Sequence, residues 1–89
     1  LYGSDLSEAN CEETKFWGAD LKEVNFTKAN LRNAVFGKSN LGGSTDVSGA
    51  NFTDAILEGA KFDATIYDAK TIFPKNFNPE NNGLVRIKS

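Results

Sequence analysis

The sequence predicts an all-β solenoid, a chain that turns a corner once every five residues and stacks the resulting coils. Three observations carry this reading. Large apolar residues recur at steps of five, a small residue precedes each of them by two, and Asp or Asn commonly stands between the pair.

The apolar centres are Leu1, Leu6, Cys11, Phe16, Leu21, Phe26, Leu31, Phe36 and Leu41. After a step of six across Gly42, Gly43 and Ser44, they resume at Val47, Phe52, Leu57, Phe62 and Tyr67. The small column includes Ser4, Ala9, Ala19, Ala29, Ala34, Thr45, Ala50, Ala55 and Thr65. Neither regular element makes use of such a period. A helix advances about 100° per residue, so centres five apart would spiral around it. A flat strand alternates faces at every residue, so they would fall on opposite sides. A short extended side followed by a turn sends every centre inward. The Asp, Asn, Ser, Thr and Gly residues between centres suit the turns.

Ala19-Asp20-Leu21, Ala29-Asn30-Leu31 and Ala50-Asn51-Phe52 are the cleanest units. Here the chain resembles the pentapeptide-repeat family, whose motif is A-(D/N)-L-x-x, over residues 1 to about 67. The resemblance implies a right-handed quadrilateral β-helix, with four repeats per coil and about 3.5 coils. Four sides set the expected interior columns: Leu1, Leu21, Leu41 and Phe62; Leu6, Phe26, Val47 and Tyr67; Cys11, Leu31 and Phe52; Phe16, Phe36 and Leu57. The extra residue near 42–44 is expected to bulge at a corner, where Gly tolerates unusual dihedrals.

Residues 1–67 thus form the expected repeat domain and residues 68–89 a C-terminal cap. In the cap, Asn78 and Pro79 read as a helix start and Gly83 as its stop, giving one helical turn at 79–82. Ile72, Phe73, Phe77, Leu84 and Ile87 are expected to fold over the top coil. This tail resembles those of cyanobacterial and plastid members of the family. The chain opens at Leu1 within the repeat pattern, which reads as a fragment or a processed chain. Its first coil is uncapped, and self-association through that coil is one way to cover it.

Composition narrows the function. The 89 residues carry a net charge of −2, which gives no reason to expect nucleic acid or an acidic membrane as partner. There is no His, so the usual general base and the commonest metal ligand are missing. No apolar run approaches membrane-spanning length. Cys11 reads as a small buried hydrophobe. Asp5, Asp46 and Asp68 are expected near one corner as a solvated face, and Asn10, Asn30 and Asn51 as a stacked amide ladder. Glu8 is expected beside Lys28 and Glu12 beside Arg32, exposed pairs of small energetic worth. The Asn25-Phe26-Thr27 and Asn51-Phe52-Thr53 sequons follow from the repeat itself.

Trp17, Val35 and Ile56 are the unusual outward apolar residues, all expected on the fourth face as an interaction surface. The reading is a non-enzymatic structural or protein-interaction module with an unidentified protein partner and no cofactor, catalytic residue or metal. Cytoplasm, periplasm and thylakoid lumen are all compatible with it. The alternative is a DNA mimic that binds a type II topoisomerase, as some members of the family do. The short length and weak charge count against it.

Overall fold

The computed structural model describes residues 1–37 and 42–87. Its backbone rests on parallel pairing between residues distant in sequence. Asp5 bridges Asn25, Asn10 bridges Asn30, and Lys15 bridges Val35, each pair twenty apart. Successive bridges thus lie five residues apart and join partners twenty apart in parallel.

The corners explain why the sequence folds this way. The amide three residues after a centre donates to the centre's carbonyl, as from Ala9 to Leu6 (3.1 Å) and from Ala29 to Phe26 (2.9 Å). The residue two after the centre has positive φ: 59° at Glu8, 63° at Glu13, 65° at Gly18, 59° at Lys28. The residue before it does not, and that combination defines a type II turn. The Asp or Asn ahead of the centre supports the same corner. Its side-chain oxygen accepts from the amide two residues on, as Asn25 does from Thr27 (2.9 Å) and Asp46 from Ser48 (2.9 Å). This side-chain mimicry of a turn is the physical reason for the D/N position of the motif.

Inward centres stack in columns. The Phe16, Phe36 and Phe62 rings follow one another at 5.1 and 4.5 Å between centroids, and Phe26, Phe52 and Phe73 at 5.0 and 5.8 Å. Cys11, Leu21, Leu31 and Val47 are buried with them, while Leu6 and Leu57 are half-buried against the same core. Leu1 departs from its expected core role: it is 60% exposed, since no described coil lies beneath it. Leu41 lies outside the described residues.

The register above the second coil corrects the expected columns. Asp20 pairs with Asp46, Asn25 with Asn51, Asn30 with Ile56, and Val35 with Lys61, each twenty-six apart. The Leu21 amide accordingly donates to Asp46, and Val47 takes the place above Leu21 given to Leu41. Phe52 stands over Phe26, Leu57 over Leu31, and Phe62 over Phe36. The inserted length is therefore six residues rather than one. Thr45 rejoins the coil at the place equivalent to Ala19, with its amide 2.9 Å from the Gly37 carbonyl.

Beyond Tyr67 the ladder continues. Asn51 bridges Ile72, and strand β1 (Ile66–Tyr67) pairs in parallel with β2 (Val85–Arg86). A 3-10 turn spans Glu80–Asn82, preceded by Pro79 at φ −63° and ended by Gly83 at φ 83°. The Asn78 side chain accepts from the Asn81 amide (3.1 Å), as a helix cap does. Phe73, Phe77 and Leu84 cover the core as expected, whereas Ile72 and Ile87 are exposed.

Candidate functional site

The six-residue offset also redistributes the outward residues. Val35 lies between Lys15 and Lys61 in one bridge column. Ile56 lies above Asn30, one side away. The expected apolar strip of Trp17, Val35 and Ile56 is thus not assembled on a single face, because Lys61 occupies the place given to Ile56. Among the three, Trp17 is 47% exposed, Ile56 37%, and Val35 half-buried.

Trp17 is the second residue of the Phe16–Ala19 corner, held by the Ala19 amide bond to the Phe16 carbonyl (3.0 Å). In the coil above, the equivalent place is Gly37, whose carbonyl accepts from Gly18 (3.2 Å). A residue without a side chain leaves the indole uncovered from that side. Gly37 is itself constrained, with φ 113° and an added Cβ at 2.9 Å from the Asp63 carbonyl oxygen. The Lys15 ammonium lies 5.2 Å from the Trp17 ring centroid, within cation–π range. Lys15 was not singled out in the sequence. Its signal was the absence of Asp or Asn ahead of Phe16, which frees that side chain from supporting the corner.

The other candidates have structural roles. Burial pushes the Cys11 thiol up, toward its unreactive form. Asp5 shares a column with Asn25 and Asn51, Asp46 stacks over Asp20, and Asp68 is buried elsewhere, so the expected acidic corner is not formed. Ile56 likewise replaces Asn51 in the ladder above Asn10 and Asn30. In both sequons the Asn oxygen is held by the Thr amide (2.9 Å) and hydroxyl (2.5 Å). Among the described residues the ion pair formed is Lys22 with Asp20 at 3.9 Å. Glu8–Lys28 and Glu12–Arg32 do not reach that range. Burial pushes the Asp68 carboxyl up, but bonds from the Gly49, Lys70 and Thr71 amides and the Thr71 hydroxyl outweigh it, leaving the carboxyl below its ordinary value. No group of three or more His, Cys, Asp or Glu side chains is arranged to hold a metal among the described residues. Among them, too, no helix is long and apolar enough to cross a membrane.

Two profiles of pentapeptide repeats match, one over residues 4–43 with eight copies and one over 26–67 with nine. The chain belongs to the pentapeptide-repeat family. The crystal structure of alr5209, a pentapeptide repeat protein from Nostoc PCC 7120, is similar with a TM-score of 0.64 at 23% identity. That match covers 93% of this chain and 84% of the other. The pentapeptide repeat protein Rfr23 from the cyanobacterium Cyanothece 51142 is 31% identical, with a TM-score of 0.33. There the match covers 82% of this chain and 56% of Rfr23. No curated protein matches the chain.

Proposed function

We propose that the chain is a non-enzymatic protein-interaction scaffold, built as the right-handed four-sided β-helix that its family suggests. The parallel bridges at four sides per coil support the architecture. One observation carries the functional reading: Trp17 is 47% exposed at a hydrogen-bonded corner, flanked by Lys15 and with Gly37 at the equivalent place above it. Exposed Trp on a fixed backbone is a favoured anchor for a partner, since little side-chain entropy is lost on docking.

The DNA-mimic alternative draws no support from the dimensions or charge. The longest extent is 29 Å. Duplex DNA of that length carries about 17 phosphate charges, at one per ~1.7 Å. The whole chain carries −2.

Capture of partners from source-cell lysate with the wild type and with Trp17→Ala tests the proposal. The variant is expected to keep the wild-type circular dichroism and to lose the partner. A partner retained equally by the two proteins removes Trp17 as the contact.

A further inference from the structure

The top of the solenoid is two sides short. In a complete coil, each repeat sends three backbone groups toward the coil above: the carbonyl of the small residue, the amide of the centre, and the amide of the positive-φ corner residue. For the Leu31 repeat these are the Ala29 carbonyl, taken by Ile56 (2.9 Å), the Leu31 amide, given to Ile56 (2.9 Å), and the Asn33 amide, given to Glu58 (3.0 Å). One coil higher, the Ala55 carbonyl and the Leu57 and Gly59 amides have no hydrogen-bond partner among the described residues. The next side repeats the pattern at the Ala60 carbonyl and Phe62 amide, and pairing resumes where Ala64 donates to Gly83 (2.9 Å).

The C-terminal segment explains the gap. It builds one side at Ile72 over Asn51 and another at Val85 over Ile66. Between them it cuts across the top instead of following the perimeter, laying Phe77 on Phe62 at 5.5 Å. Two cavities lie over the skipped sides. One of about 320 Å³ is lined by Leu57, Glu58, Pro74, Phe77 and Asn82, among others. The other, about 630 Å³, is lined by Lys61, Phe62, Glu80, Asn82 and Gly83, among others. Asn82 borders both.

We infer that this open edge, from Ala55 to Phe62, binds an extended peptide segment of a partner protein as an added parallel strand. The unpaired groups fix the occupant's chemistry. They repeat the acceptor and donor order that the coil below meets with backbone, so another extended backbone satisfies them in one register. The columns beneath also set the inward side chains. A small residue belongs above Ala55 and an aliphatic one above Leu57, with a polar residue between. The rim carries Glu58, Asp63 and Glu80 against Lys61 and Lys75, three acids to two bases, which matches a peptide of little net charge or one weakly basic. The inference deepens the interaction-scaffold reading and rests on it, but uses a surface separate from Trp17.

The test is amide NMR on the full chain, titrated with a probe peptide of two Ala-Asn-Leu-Ser-Gly units. Shifts are expected at residues 55–62 and 74–83, with slowed exchange of the Leu57 and Gly59 amides. The same peptide N-methylated at both Asn residues loses the donors for the Ala55 and Ala60 carbonyls, and is expected to bind at least about tenfold more weakly. No shift at millimolar peptide, shifts elsewhere, or equal binding of the N-methylated peptide overturns the inference. If a Trp17-dependent partner is captured while the peptide fails, the scaffold reading stands and the open edge is only hydrated.

Discussion

The Thr45 hydroxyl oxygen lies 2.7 Å from the carbonyl oxygen of Gly37 and 3.0 Å from its amide nitrogen. It also accepts from the Gly18 amide (3.1 Å) and lies 2.9 Å from the Phe16 carbonyl. One fully buried side chain therefore joins the two ends of the interrupted coil and ties them to the coil below.

Removing that hydroxyl strands the buried Gly37 amide without a partner. Thr45→Val is expected to destabilise the fold by about 2 kcal/mol, and Thr45→Ser by much less. Thr65 is equally buried and also occupies the small column, but its hydroxyl has no hydrogen-bond partner. Thr65→Val is expected to stabilise by about 1 kcal/mol, because it removes a buried unpaired polar group at nearly constant shape. Urea denaturation of the three variants gives both signs, and loss of stability in Thr65→Val contradicts the packing described.

The corner residues make a second pair of opposite predictions. Ala64 holds φ 61° with no polar side chain to compensate, so Ala64→Gly is expected to stabilise by about 0.5–1 kcal/mol. Gly59 holds φ 73°, and an added Cβ falls 2.1 Å from the Asn33 side-chain oxygen. Gly59→Ala is expected to cost about 1 kcal/mol or more. Thermal melts decide it, and equal signs for the two changes count against type II corners.

Asp68 sets an acid response. Its carboxyl is depressed in the folded state by the amides that bond it, so the stability it contributes is full above the ordinary Asp range and is lost as pH falls through the lower folded value. Urea midpoints are expected to drop below about pH 4, more steeply in the wild type than in Asp68→Asn. The Asp5 carboxyl, lowered by its bonds from Ser7, retains part of the slope in the variant. Parallel pH profiles for the two proteins contradict this role.

Much of this was legible in the residues. The inward centres from Leu6 to Phe36 follow from a period of five, and the short helical turn follows from Asn78, Pro79 and Gly83. The size of the insertion was not legible, for a simple reason. Passing over one whole repeat shifts the pattern by five and leaves its phase unchanged, so a step of one and a step of six look alike. Ser39-Asn40-Leu41 reads as an ordinary unit, which hid the difference and displaced Ile56, Asn51 and Asp46 to the wrong columns. The positive-φ corners were legible but unread: Gly3, Gly18, Gly49 and Gly59 each fall two residues after a centre. The open edge at Leu57 depends on where the tail crosses, which no repeat pattern encodes.

Disulfide trapping on a Cys11→Ala background tests the coil register most directly. Val35→Cys with Lys61→Cys places two outward thiols on bridged neighbours, at strand spacing of about 4.8 Å. Val35→Cys with Ile56→Cys places them on different sides. Mild oxidation is expected to cross-link the first pair rapidly and leave the second reduced. Efficient bridging of the Val35–Ile56 pair, with none at Val35–Lys61, contradicts the stacked coils and the six-residue insertion together.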